Sequence, residues 1–262
     1  MKFHVMTLVA ENAKNLVAFS QTMACKAEHL WPNVKPKLIV QSQAVITCPS
    51  EEFAETDMIF KMKECLTANG NESHFLKNVL RGTLIIFLVI AGLRPVKDPM
   101  FLFEIISDWH KQDSRVFLVV VGPEIDFEFS IMVKETAKKY PGVVVLPALS
   151  QPDLHALIKH FVVAVVNTSV SEGMAACILE AMDMSTVVLA RKIPGNECLI
   201  KHNENGLLFQ TPEEFLSLAR QVAYDERYRH RLALGGKKYV SNNHSLIQEK
   251  ETYKSVVRKL MK

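Results

Sequence analysis

The chain of 262 residues is long enough for one large domain or two small ones. Its 48% hydrophobic and 23% charged residues are typical of a globular protein with a sizeable core. The net charge of +3 is nearly balanced, and no basic stripe carries interleaved aromatic side chains. The composition therefore argues against a nucleic-acid-binding protein.

The amino terminus, MKFHVMTLVAENAKNL, makes a poor signal peptide because His4 breaks its apolar run and Glu11 ends it. The longest apolar run, at 84–93, is about half as long as a membrane span. The five cysteines form no C-x-x-C pair, which favours reduced thiols over a disulfide framework or a zinc site. We therefore expect a cytoplasmic protein without a membrane span, and consider secretion the weaker alternative.

Short, nearly continuous β-branched runs recur along the chain, and such runs predict strands that are buried on both faces. They lie at 37–40, 83–92, 116–122, 143–149, 161–167 and 186–191. Amphipathic segments between and after them predict helices at 98–112, 130–140, 152–161 and 212–225. This alternation predicts an α/β fold with a parallel, doubly wound sheet, in which ligands bind outside the carboxyl ends of the strands.

The segment 49–82 is more polar than its surroundings and carries no strand pattern. We place a domain junction near residue 49 for this reason. The predicted organisation is a short α/β piece at 1–48, a regular domain at 49–245 and a C-terminal helix at 246–262.

Two glutamates, Glu172 and Glu180, follow the predicted strand at 161–167. A cap by Ser169 or Ser171 would place Glu172 in the first turn of the next helix, near the positive end of its dipole. The spacing alone is weak, because composition yields such a pair roughly once by chance, and purely structural roles are the alternative. The position at a strand's carboxyl end, with Gly173 allowing close backbone approach, favours a ligand site.

The chemistry of these residues suits a nucleotide diphosphate-sugar. Eight residues of helix span about 12 Å, comparable to the distance from a ribose to a sugar beyond the diphosphate. A carboxylate can accept two hydrogen bonds from a vicinal diol, and a helix amino terminus suits the diphosphate.

A second group of residues lies in AGLRPVKDP, at the end of the strand at 83–92. Gly92 makes the turn, and Arg94 and Lys97 form a cationic pair at the carboxyl edge of the sheet. Such a pair would stabilise a leaving diphosphate as its negative charge develops. Two solvent-exposed surface charges are the alternative interpretation.

Several segments carry a family resemblance. SEGMAACILEAM, IPGN and NGLLF, followed by EEFLSLA, resemble the donor-binding half of family-4 retaining glycosyltransferases with the two-domain GT-B fold. The similarity extends over nearly the whole chain, through AFSQTM, WPNVKPKLIVQSQ, GLRPVKDP, VVGPE, QPDLHA and NTSVSEGM. It implies a Rossmann-like sheet forming the C-terminal half of the fold, with a shortened N-terminal half.

The resemblance also implies roles for individual residues. Glu180 would hold the ribose hydroxyls, Glu172 would contact the donor sugar near its reacting carbon, and Arg94 and Lys97 would neutralise the diphosphate. Further donor-binding positions are Gly92, Gly173, Met174, Ala175 and Leu179. The implied reaction is a metal-independent hexosyl transfer that retains the anomeric configuration and uses no cofactor. Its partners would be a nucleotide diphosphate-sugar and an unknown acceptor.

Some residues depart from the family pattern. Gly173-Met174-Ala175 stands where G-F-G is usual, Pro147 replaces a common glycine in the loop that receives the base, and Ser185 and Thr186 replace a Gly-Leu-Pro turn.

With a short N-terminal half, we expect a short form of a longer enzyme, with impaired transfer and self-association through exposed apolar surface. The alternative function is a non-catalytic nucleotide-sugar-binding or interaction module. A dehydrogenase is disfavoured, because no G-x-G-x-x-G follows a strand.

Overall fold

Two parallel sheets organise the chain in a computed structural model that describes residues 2–67 and 84–261. The first sheet has two strands, β1 (Leu16–Ala18) and β2 (Leu38–Val40). The strands of the second are β3 (Ile85–Ile90), β4 (Val116–Val121), β5 (Val143–Leu146), β6 (Ala164–Asn167), β7 (Val187–Arg191) and β8 (Leu207–Phe209).

All pairings in the larger sheet are parallel, and its strand order is β5-β4-β3-β6-β7-β8. The order reverses between β3 and β6, which makes their carboxyl ends the topological switch point of a doubly wound sheet. The predicted α/β fold with a Rossmann-like parallel sheet is confirmed. The loops that carry Lys97 and Glu172 leave the sheet on either side of this switch point.

Helices alternate with the strands. They are α1 (Lys2–Asn12), α2 (Gln21–Leu30), α3 (Glu55–Thr67), α4 (Phe103–Gln112), α5 (Phe127–Ala137), α6 (Gln151–His160), α7 (Ala176–Asp183), α8 (Pro194–Glu197), α9 (Pro212–Tyr224), α10 (Glu226–Asn243) and α11 (Leu246–Leu260). Short 3₁₀ turns at Pro32–Lys37, Pro95–Lys97 and Pro99–Leu102 complete the described elements.

The strands are buried on both faces because helices cover both sides of the sheet. Successive side chains of a strand point to opposite faces. Accordingly Ile86 and Leu88 join one apolar cluster, whereas Phe87 and Val89 join the other. The near-continuous apolar runs in the sequence reflect this two-sided burial.

The boundaries of some elements differ from the prediction for local reasons. Strand β6 begins at Ala164 because α6 runs on to His160 and Phe161 is its carboxyl-terminal cap. Helix α5 begins three residues earlier than predicted, since Asp126 caps it by accepting a hydrogen bond from the amide of Phe129. Residues 68–83, which include Thr83 and the second part of the segment 49–82, lie outside the described residues.

The longest described helix, α10, is absent from the sequence prediction. Its glycine pair, Gly235 and Gly236, resembles a helix-breaking signal. The structure gives these glycines a packing role, because a Cβ atom at Gly235 would lie 2.1 Å from the carbonyl oxygen of Glu204. At Gly236 a Cβ atom would lie 3.0 Å from Cγ of Met182 on α7. The pair therefore allows α10 to approach α7 and the turn at Glu204 closely.

Segment 42–44 contacts the end of α10 and the start of α11. The Ser42 hydroxyl donates to the Asn243 carbonyl at 2.8 Å, and the Ala44 amide donates to Glu249 Oε2 at 3.3 Å.

Large apolar side chains are exposed on α1 and α11, including Leu8, Val9 and Ile247. Division into three regions and self-association remain predictions.

Ser185 provides a test of backbone strain. Its φ of 58° lies in the left-handed region, where a side chain costs about 1 kcal/mol relative to glycine. We expect Ser185→Gly to raise the melting temperature by about 2–4 °C in thermal denaturation. Ser185→Ala is the matched control, since it keeps the Cβ atom. A gain of the same size in both variants would assign the effect to loss of the hydroxyl.

Candidate active site

The candidate site lies at the switch point, where the loop after β3 meets the loop after β6. Two hydrogen bonds join these loops: the Val170 amide donates to the Val96 carbonyl at 3.0 Å, and the Thr168 hydroxyl donates to the Lys97 carbonyl at 2.8 Å. These contacts bring together residues about 75 positions apart in the sequence. The predicted meeting of the two loops at one edge of the sheet is found.

Glu172 is the centre of the site. Lys97 Nζ lies 2.5 Å from its Oε1 atom, the Ser169 hydroxyl donates to the same atom at 2.6 Å, and the Asn167 amide donates at 3.4 Å. The side chains of Lys97 and Glu172 are only 16% and 11% exposed. Three donors therefore fix one carboxylate oxygen in a largely desolvated position.

The predicted helix cap at this site is wrong. Helix α7 begins at Ala176, and Ala175 occupies the N-cap position without a side-chain hydrogen bond. The Ser169 hydroxyl contacts Glu172 instead of capping the helix, so Glu172 lies in the preceding loop. The 12 Å helical spacing between Glu172 and Glu180 therefore does not apply, because the intervening residues are not all helical.

The environment of Glu172 sets the sign of its pKa shift. Burial by itself would raise the pKa of this carboxyl, but hydrogen bonds from Lys97, Ser169 and Asn167 and the charge of Lys97 lower it below its ordinary value. A carboxyl with a depressed pKa in the folded state stabilises the fold above its unfolded pKa, about 4.3 for glutamate. That stabilisation is lost as the pH falls through the folded pKa.

This linkage predicts the behaviour of Lys97→Met. The variant leaves Glu172 without its cation, so we expect the free energy of unfolding to fall by about 3 kcal/mol at pH 7, the low end for a broken buried pair. Burial would then raise the pKa of Glu172, and the deficit should shrink as the pH falls toward 4. Lys134→Met, which removes the exposed pair with Glu124, is the control. A deficit independent of pH in urea unfolding would contradict the linkage.

Two buried side-chain amides stabilise the loop that carries Glu172. Asn196, which is fully buried, donates to Asn167 Oδ1 at 3.1 Å and to the Arg191 carbonyl at 2.9 Å. A Cβ atom on its neighbour Gly195 would lie 2.2 Å from the Glu172 carbonyl oxygen, so glycine is required there. Neither Asn167 nor Asn196 is among the site residues predicted from the sequence. The position of Asn167 at the end of an otherwise apolar strand could have indicated it, whereas Asn196 lies beyond the end of β7 in the short helix α8 and carries no such signal.

Arg94 differs from Lys97 in its surroundings. Arg94 is exposed, and within the described ranges no ion pair or hydrogen bond involves its side chain. Its loop is fixed further along by Asp98, which has a left-handed φ of 42° and forms an ion pair with Arg191 at 2.7 Å. Arg191 also stacks over Phe101, 4.1 Å from the ring centroid. Among the described residues, Arg94 is thus the cation of the predicted pair that is exposed, whereas Lys97 is held by Glu172.

Glu180 lies on α7 and faces α6. Gln151 Nε2 donates to its Oε1 atom at 3.0 Å, and 18% of its side chain is exposed. Leu179 beside it is fully buried in the core. No contact joins Glu180 to Glu172 among the hydrogen bonds and ion pairs of the described residues.

The remaining predicted positions have different surroundings. Gly92 packs against Ile125, where an added Cβ atom would lie 2.9 Å from Cγ1. A Cβ atom added at Gly173 would lie at an ordinary contact distance from Met23 of α2. Met174 lines a cleft of about 370 Å³ together with Phe19, Ser20 and Gln41, which follow β1 and β2, whereas Ala175 is buried. The smaller sheet thus presents its carboxyl ends to the same region.

Comparison with known proteins identifies the family of this chain. Residues 71–239 match the family described as glycosyl transferases group 1. The chain belongs to this family. A curated relative, glycosyltransferase 1 domain-containing protein 1 of Xenopus tropicalis, is 38% identical over 259 residues, which cover 99% of this chain and 71% of the relative.

Solved structures of two glycosyltransferase-fold proteins are also similar. HepE of Anabaena, crystallised with UDP-glucose, aligns with 98% of this chain and 67% of its own, with a TM-score of 0.70 and 16% identity. Sucrose-phosphate synthase of Thermosynechococcus elongatus aligns with 99% of this chain and 61% of its own, with a TM-score of 0.75 and 16% identity. At this identity the likeness shows the fold, which is that of GT-B glycosyltransferases.

None of the helices in the described ranges is long and apolar enough to cross a membrane.

Proposed function

We propose that this group 1 glycosyl transferase binds a nucleotide diphosphate-sugar at the switch point and transfers the sugar, a hexose, with retention of anomeric configuration. The observation that carries the proposal is the largely buried Lys97–Glu172 pair at the ends of β3 and β6. The exposed Arg94 on the same loop supplies a second cation. Ligands of doubly wound sheets bind at this place, and the HepE structure contains UDP-glucose.

The proposed roles follow the charges that develop during transfer. As the bond between the anomeric carbon and the diphosphate oxygen breaks, negative charge accumulates on the diphosphate and positive charge on the sugar ring. Arg94 and Lys97 would stabilise the diphosphate, and Glu172 would stabilise the ring. Its three donors hold the Glu172 carboxylate in place before the reaction, which reduces the reorganisation that the reaction requires.

Glu180 would bind the ribose. A carboxylate can accept hydrogen bonds from both hydroxyls of a vicinal diol, and Glu180 keeps some exposure on the first turns of α7. The main chain at Gly173, Met174 and Ala175 would complete the donor pocket.

The two cations, Arg94 and Lys97, give the diphosphate a counter-charge without a metal ion, so we propose metal-independent transfer. Sugar transfer in a chelator such as EDTA should then match transfer in added Mg²⁺.

Calorimetric titration with the diphosphates of uridine, guanosine and adenosine tests the binding step. We expect one of them to bind, and Glu180→Ala to weaken that binding about tenfold by removing two hydrogen bonds to the ribose. Glu213→Ala, on α9, is the matched control. An absence of binding to all three nucleotides would favour a non-catalytic interaction module, the alternative function.

A further inference from the structure

We propose that Asn196 is a positioning residue for Glu172 and that it acts through Asn167. The inference rests on the proposed function, because that function assigns Glu172 to the donor sugar. It deepens the proposed function by adding two amide side chains that set the orientation of the carboxylate.

The main chain fixes the orientation of the Asn196 amide. Asn196 lies in α8 and is fully buried. Its Nδ2 atom donates to the Arg191 carbonyl at 2.9 Å. A carbonyl oxygen can only accept a hydrogen bond, so the atom that faces it must be the nitrogen of the amide. The same nitrogen donates to Asn167 Oδ1 at 3.1 Å.

The main chain also fixes the orientation of the Asn167 amide. Its Oδ1 atom accepts a hydrogen bond from the Ser169 backbone amide at 3.2 Å, and a backbone amide can only donate. Asn196 donates to this same oxygen, so two donors hold it. The nitrogen of Asn167 is therefore left to donate to Glu172 Oε1, at 3.4 Å. A reversed amide would place an oxygen against the carboxylate and a nitrogen against two donors.

Asn167 reaches Glu172 by two routes. Its own nitrogen donates to the carboxylate, and its oxygen holds the backbone amide of Ser169. The Ser169 hydroxyl in turn donates to Glu172 Oε1 at 2.6 Å. Two of the three donors that surround this carboxylate oxygen therefore depend on the orientation of Asn167, and Lys97 is the third.

Stability alone does not account for an asparagine at position 196. The Oδ1 atom of Asn196 is buried and has no hydrogen-bond partner in the part of the chain that the structure describes. An unpaired buried acceptor destabilises a fold, and an apolar side chain would avoid that cost. The nitrogen of the amide, which orients Asn167, is the part that an apolar side chain could not replace.

The test compares two substitutions that remove this nitrogen. Asn196→Ala leaves a cavity, whereas Asn196→Leu has the branched shape of asparagine and fills the space. We expect both to slow the release of nucleoside diphosphate from the donor about tenfold at pH 8, the effect of roughly one lost hydrogen bond. UDP-glucose, GDP-glucose and ADP-glucose serve as donors. Affinity for the bare nucleoside diphosphate should be unchanged in calorimetric titration.

The dependence on pH separates orientation from packing. Burial by itself raises the pKa of Glu172, but its hydrogen-bond donors and the charge of Lys97 lower it below the ordinary value. Loss of Asn196 weakens two of these donors, so the pKa of Glu172 should rise. The ionised carboxylate is then lost at a higher pH, and the deficit in turnover should grow as the pH falls from 8 to 5. A ¹³C NMR titration of the carboxyl, assigned with Glu172→Gln, measures the same change without a donor.

Two further variants serve as controls. Asn205 is a buried asparagine whose amide accepts from the Lys201 backbone amide at 2.7 Å and donates to the Leu199 carbonyl at 3.0 Å. Asn205→Leu should leave turnover and its pH dependence unchanged. In a chain that already carries Asn167→Leu, adding Asn196→Leu should cause no further loss, because the route to Glu172 is already broken. Thermal denaturation verifies that each variant is folded.

The outcomes separate the two proposals. If the unchanged protein turns over none of the three donors, the proposed function fails, and the NMR titration decides whether Asn196 orients Glu172. If it turns over a donor and folded Asn196→Leu is equally active, this inference alone is overturned. A deficit that is independent of pH, with an unchanged pKa of Glu172, would also overturn it, since Asn196 would then act through packing.

Discussion

Replacing Glu172 with glutamine is expected to lower the turnover of donor by roughly 10²–10³-fold, the usual effect of losing a preorganised transition-state contact. The amide keeps the size of the side chain but cannot stabilise positive charge on the sugar ring. Affinity for the bare nucleoside diphosphate should change little, because the proposed contact is to the sugar. Release of nucleoside diphosphate from the donor, with titration of the same protein, measures both quantities.

Glu197→Gln is the matched control for this prediction. Glu197 is exposed on the short helix α8, close in sequence to the residues that support the Glu172 loop. Turnover in the control should equal that of the unchanged protein. Equal losses of turnover and nucleotide affinity in Glu172→Gln would reassign Glu172 to nucleotide binding.

Arg94→Ala is expected to weaken binding of the nucleoside diphosphate by at least about 30-fold, or about 2 kcal/mol, the cost of removing one member of a close charge pair. Folding stability should be unaffected, since Arg94 is exposed and has no side-chain partner in the part of the chain that the structure describes. Calorimetric titration measures the affinity, and thermal denaturation measures the stability. This variant therefore separates ligand binding from folding, which Lys97→Met cannot do.

Arg227→Ala provides the control for the loss of an arginine charge. Arg227 lines a different cleft, of about 390 Å³, with Lys159 and residues at the amino-terminal ends of β6 and β7. Nucleotide affinity should be unchanged in this variant. Equal weakening in both arginine variants would indicate a general charge effect and argue against a diphosphate contact at Arg94.

The sequence predicts the parts of this structure that depend on local pattern. The apolar runs locate β3 to β7 because each strand is buried on both faces. Lys97 and Glu172 could be proposed for one site because each follows such a run, and the carboxyl ends of parallel strands lie at the same edge of a sheet. The family resemblance suggested their separate roles.

Features that depend on distant contacts could not be predicted in this way. Ser169 matches the pattern of a helix cap, but its hydroxyl donates to Glu172, which also forms an ion pair with the distant Lys97. Asn196 and His155 form hydrogen bonds with residues 29 and 107 positions away. The Gly235-Gly236 pair resembles a break until the neighbouring Glu204 and Met182 show why a side chain could not fit.

A crystal structure of the chain grown with UDP-glucose would show directly where the donor binds. We expect the diphosphate within hydrogen-bonding distance of Arg94 and Lys97, the ribose hydroxyls on Glu180, and the sugar beside Glu172. A nucleotide bound in the cleft lined by Lys159 and Arg227, at the opposite edge of the sheet, would contradict it.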